Sequence, residues 1–107
     1  MKNRIALLLL LMASYNINAT ELSPKGVITG YYTGWGSDTV RVTIQGASYN
    51  EGNCATPDGY VTAKSDNSGY TTHASALLAA YMSGKPVTIV VNGCVSGRPR
   101  IWGVYID

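Results

Sequence analysis

The sequence predicts a mainly β domain carrying one helix, in the order strand, strand, strand, helix, strand, strand. Three observations lead there. β-branched and aromatic residues gather in short runs separated by glycine-rich turns. The apolar spacing changes to helical in one stretch only, residues 74–82. Once the first nineteen residues are set aside, the length suits a single core.

Residues 1–19 read as a secretory signal peptide: Lys2 and Arg4 form a basic start, residues 5–13 an apolar run, and Ile17-Asn18-Ala19 a cleavage site. The apolar run is about half of the roughly 20 residues a membrane span needs, so no membrane insertion is expected. Cleavage after Ala19 leaves 88 of the 107 residues, 20–107, as one exported domain, secreted or periplasmic. Of eight basic residues two depart with the leader, and the remaining six match the six acidic ones. A neutral chain without a basic cluster argues against nucleic acid and against an anionic membrane surface. A domain of this size commonly takes help from a disulfide or from neighbouring subunits. Cys54 and Cys94 are the only cysteines, and in an oxidising compartment a disulfide between them is expected in preference to free thiols or a metal pair. Closing a loop of about 40 residues is worth about 4 kcal/mol in the chain-entropy model.

The elements follow in order. Residues 26–33 (GVITGYYT) form a first strand, Gly34-Trp35-Gly36-Ser37-Asp38 supplies turn chemistry, and residues 39–45 (TVRVTIQ) alternate Val40, Val42 and Ile44 with polar residues, a hairpin with one buried face. A polar loop holds Cys54 and Pro57; residues 59–64 (GYVTAK) form a third strand, and residues 65–69 are a turn. Ala74, Leu77, Leu78, Tyr81 and Met82 then make a helical stripe, with Thr71 or Thr72 as its cap, Gly84 as its left-handed end and Pro86 forbidding continuation. The other face carries small Ala76, Ala79, Ala80 and Ser83, open to close approach by a neighbouring subunit. Residues 86–92 (PVTIVVN) and 99–106 (PRIWGVYI) are the last two strands.

Five strands with a helix between the third and fourth is the layout of an OB-fold, a five-stranded Greek-key barrel that binds oligosaccharides or oligonucleotides. With nucleic acid disfavoured by charge, sugar is the ligand class that remains.

The run Gly26-Val27-Ile28-Thr29, then Tyr32-Thr33-Gly34, and later Ala79-Ala80-Tyr81 with Ser83-Gly84-Lys85-Pro86-Val87, resembles the B subunits of AB5 toxins of the subtilase cytotoxin and pertussis-like typhoid toxin type. The resemblance implies a virulence factor: a secreted OB-fold subunit that forms a homopentamer, binds a sialic acid-bearing glycan on the host cell surface, and carries an enzymatic A subunit. Aligning Val27-Ile28-Thr29 puts Lys25 and Ser23 near the family's sugar-contacting serine, and these two enter the candidate site by that alignment alone.

The residues themselves offer further candidates. A sugar site needs a flat apolar face and a few fixed polar groups, which Tyr32, Trp35, Ser37 and Asp38 supply at the first hairpin. Tyr31 and Tyr32 face opposite sides of their strand, so only one can belong to a given surface. Tyr49 and Asn50, on the loop before Cys54, are a second hydroxyl-reading pair. Residues 65–69 fall short of a calcium loop. His73, the only histidine, has no nucleophile and carboxylate in a recognisable motif. The expectation is a binding protein with no cofactor and no metal rather than an enzyme. Its alternative is a small monomeric secreted or periplasmic protein-interaction or inhibitor module.

Overall fold

The computed structural model describes residues 20–34 and 36–107, so the leader expected at residues 1–19 and the candidate Trp35 lie outside the described residues. Among the described residues six strands and one helix follow in chain order: β1 Glu21–Leu22, β2 Gly26–Gly34, β3 Ser37–Ile44, a short 3-10 turn Glu51–Asn53, β4 Tyr60–Ala63, α1 Tyr70–Ser83, β5 Pro86–Val95 and β6 Arg98–Ile106. The described residues are mainly β with a single helix, as expected. β1 is additional: two residues cannot display a period, and the strand exists only because Glu21 and Leu22 meet Val91 and Val90 of β5.

The strands form one sheet of mixed order, β1-β5-β2-β3-β4-β6, in which β5 also pairs with β6. Neighbour follows neighbour around a ring: β2 to β3 and β3 to β4 antiparallel, β4 to β6 parallel at Val61 and Arg100, β6 to β5 and β5 to β2 antiparallel. β1 and β2 share one edge of β5, and Ser23 spans the gap between them. Its backbone N–H donates to Ile89 O at 2.8 Å, while its hydroxyl accepts the Ile89 N–H at 2.8 Å.

The inner face collects the β-branched residues. Val40, Val42 and Ile44 of β3 alternate inward and are buried, joined by Val87, Ile89 and Val91 of β5 and by Ile101 of β6. The β5–β6 hairpin runs further than the sequence implies, because Ser96 and Gly97 at its tip both take positive φ, the primed turn that matches strand twist, which lets Cys94 pair with Pro99. Cys54 and Cys94 form the expected disulfide, with Cα atoms 5.9 Å apart. This bond points to a non-cytoplasmic compartment. Among the described residues no helix is long and apolar enough to cross a membrane.

Two expectations about α1 need correction. Neither Thr71 nor Thr72 caps it. The start is set by Asn67, whose side-chain oxygen accepts the Gly69 N–H at 2.9 Å and whose backbone oxygen accepts the Tyr70 N–H at 3.1 Å. Helical structure therefore begins at Tyr70, before Ala74. The buried stripe is also rotated: Leu77 and Ala80 are buried, with Tyr70 and Ala74 packed beside them, while Leu78 is 45% and Met82 77% exposed. Small Ala80 lets the helix close onto the sheet, where Tyr81 stacks on Tyr31 at 6.3 Å and the Tyr31 hydroxyl donates to Ala74 O at 3.1 Å. The helix ends as expected, with Gly84 left-handed at φ 69°.

Candidate functional site

The β2–β3 connection is short and made by glycines. Gly34 pairs with Ser37, and Gly36 sits at φ 73°, a conformation that L side chains rarely adopt. β3 therefore starts at once, and its first residues stand beside the turn. Ser37 and Thr39, two apart on one face, share a hydroxyl–hydroxyl hydrogen bond of 2.9 Å. Asp38 is exposed, 3.7 Å from Lys64, and its backbone oxygen accepts the Lys64 N–H at 2.9 Å, which ties the start of β3 to the end of β4.

Tyr70 completes the site from the helix. Asn67, which shapes the turn before it, also donates from its amide to Ile101 O at 3.0 Å, so the helix start is anchored to β6 and aimed at the β2–β3 turn. The result is an open depression of about 480 Å³ lined by Thr33, Gly34, Gly36, Ser37, Asp38, Thr39 and Tyr70. Its walls carry hydroxyls, one carboxylate and one aromatic ring. Beneath it, burial first and the nearby Tyr70 second push the Tyr31 phenol above its ordinary value.

The structure brings together only part of the candidate set. Ser37 and Asp38 are in the depression, and Tyr70, Thr33 and Thr39 join them unforeseen. The signal for Tyr70 was present: Tyr70, Ala74 and Leu77 are spaced i, i+4, i+7, which extends the helix backward. Tyr32 points to another surface, exposed and capped by the Arg41 guanidinium 4.3 Å from its ring centre, while Tyr31 turns inward. Arg41 continues into a charged group with Asp58 and Arg98; the Arg98 hydrogen bond holds the Asp58 carboxyl below its ordinary value.

The other candidates occupy the opposite end of β3 and are engaged in structure. Ser23 is buried and its hydroxyl also donates to Pro24 O at 3.0 Å. Lys25 meets Asp107 at 3.4 Å on the surface. The Tyr49 hydroxyl accepts the Ile44 N–H at 3.0 Å and lies 3.3 Å from Ile44 O, with its ring edge-on to Tyr60 at 5.0 Å. Asn50 is exposed, and its backbone oxygen accepts the Asn53 N–H at 3.1 Å in the 3-10 turn. His73 stands half-buried in the first turn of α1, and burial lowers its pKa. Among the described residues no three His, Cys, Asp or Glu side chains group to hold a metal ion.

Comparison with models of known protein families and with curated proteins finds no match for this chain.

Proposed function

We propose that this chain is an exported sugar-binding subunit that works as an assembly of several copies, with the ring of strands as an OB-type barrel. The observation that carries the reading is the chemistry of the depression between the β2–β3 turn and the start of α1. Sugar recognition requires hydroxyl-reading groups of fixed position beside a flat apolar face, and Ser37, Thr39 and Asp38 beside Tyr70 have that composition. Among α1 residues there is no Asp, Glu, Lys or Arg, and Leu78 and Met82 face outward, which supports burial of this helix against neighbouring copies. Each site binds weakly, and several sites on one face raise avidity by orders of magnitude through effective concentration. In a toxin-like assembly, as the sequence resemblance implies, this adhesion to a host-cell glycan would deliver an enzymatic partner subunit. A pentamer is the form proposed.

The test is the native mass of residues 20–107 by light scattering, followed by a glycan screen with Trp35→Ala and Asp38→Asn as controls. A mass near five protomers, with sugar binding lost in Trp35→Ala and weakened in Asp38→Asn, is the expected result. A stable monomer that binds no sugar would leave the protein-interaction module as the better account.

A further inference from the structure

The depression has a charge character that bears on which sugars enter it. Among the described residues its lining contains one carboxylate, Asp38, and no lysine, arginine or histidine; the other polar side chains there are the hydroxyls of Thr33, Ser37, Thr39 and Tyr70. Lys64 is not part of that lining, and its ammonium nitrogen lies 3.7 Å from the Asp38 carboxylate. We infer that the depression takes uncharged sugars bearing adjacent hydroxyls in preference to sialylated ones, an inference that rests on the sugar-binding reading above and narrows it.

The argument is one of donors and acceptors. A carboxylate only accepts, and its two oxygens can take both protons of a vicinal diol, bonds that are shorter and stronger than those between neutral groups. Hydroxyls at Ser37 and Thr39 already bond to each other at 2.9 Å, and they can turn to receive or donate as a third sugar hydroxyl requires. The apolar ring face of the sugar then meets Tyr70. A sialic acid would instead bring a second carboxylate beside Asp38, with nothing cationic in the lining to receive it. At this exposed position solvent and salt screen the repulsion, so discrimination of roughly tenfold at low salt is expected. Lys64, paired with Asp38, opposes that discrimination.

The Asp38–Lys64 pair makes the inference testable in both directions. Neutral oligosaccharide conjugates and their sialylated counterparts are titrated against the assembled protein in about 0.05 M salt, a concentration where surface charge is weakly screened. The wild type should bind the neutral member of a recognised pair roughly tenfold more tightly. Asp38→Asn, which leaves Lys64 without its partner, should bring the ratio to one or reverse it; Lys64→Ala should widen it. Melting temperatures of the two variants confirm that each is folded. Equal or tighter binding of sialylated members by the wild type, or an unchanged ratio in Asp38→Asn, overturns the inference and leaves the sugar-binding reading standing. Failure of every conjugate to bind overturns both.

Discussion

The two ends of β3 lie about 23 Å apart along the strand and use the same kinds of residue differently. At the Ile44 end, polar groups are committed to one another. The Tyr60 hydroxyl, fully buried, donates to Glu51 Oε1 at 2.7 Å, and burial first, then Glu51, holds that phenol far above its ordinary value. Tyr49 closes on the Ile44 backbone, Ser23 on Ile89, and the Gly52 N–H donates to Glu21 Oε1 at 3.3 Å. The disulfide fastens this end to β5. At the Ser37 end the turn is built on Gly34 and Gly36, the Ser37 and Thr39 hydroxyls bond to each other, and Asp38 is exposed. Tyrosine, serine and a carboxylate occur at both. What separates scaffold from candidate site is whether their hydrogen-bonding capacity is already taken.

The comparison breaks if the braced end proves dispensable. Cys54→Ser with Cys94→Ser should cost about 4 kcal/mol by the chain-entropy estimate, the largest effect expected in this molecule. Urea unfolding of the double variant against the wild type measures it, and a loss below about 1 kcal/mol would mean that the hydrogen bonds at this end hold the loop without the bridge. Ser23→Ala comes next. It leaves the buried Ile89 N–H without its acceptor, at a cost of about 1–3 kcal/mol. The same denaturation experiment reads it, and a neutral result would show that the β1–β2 gap is hydrated.

Much of the scaffold was legible because it rests on local rules. Alternation of Val40, Val42 and Ile44 is a property of the strand itself, and Gly84 followed by Pro86 ends a helix whatever surrounds it. β1 was not legible, since its hydrogen bonds are made to residues about 70 positions away and its own two residues carry no period. The rotation of the helix stripe was likewise hidden. Ala80 and Leu78 differ in size in the direction opposite to their burial, so side-chain size and apolar spacing alone point to the wrong face. Half of the candidate site followed from turn chemistry at residues 34–38, but Tyr49 and Ser23 look as available as Ser37 until their partners on other strands are known.

A smaller effect separates helix from sheet. His73 is half-buried in α1, and burial disfavours its charged form, so its folded pKa lies below the unfolded value near 6.5. In the window between the two values the unfolded chain binds more protons, so stability is complete above pH 6.5 and declines as pH falls through the folded pKa. Thermal melts from pH 7.5 to 5 should show this decline, and His73→Gln should flatten it. The Asp58 carboxyl, held low by Arg98, acts in a separate and more acidic window: its contribution is present above about pH 4 and is lost as pH falls through its depressed value. A decline between pH 6.5 and 5 that survives His73→Gln would assign the sensitivity to another group.

The smallest expected effect on stability is at the open end. Asp38 is exposed and its one ion pair, with Lys64, is a surface pair, so Asp38→Asn should change unfolding free energy by no more than about 0.5 kcal/mol. The backbone bond from Lys64 to Asp38 O is untouched by the substitution, so β3 and β4 stay joined. Set beside Ser23→Ala, this variant asks whether the two ends differ as the hydrogen bonding says: a serine hydroxyl at one end that stability depends on, and a carboxylate at the other that it does not. A loss above about 1 kcal/mol, larger than a surface ion pair supplies, would make Asp38 part of the scaffold. The depression would then be a by-product of turn geometry, and its carboxylate a brace between β3 and β4 rather than an acceptor held open for a ligand.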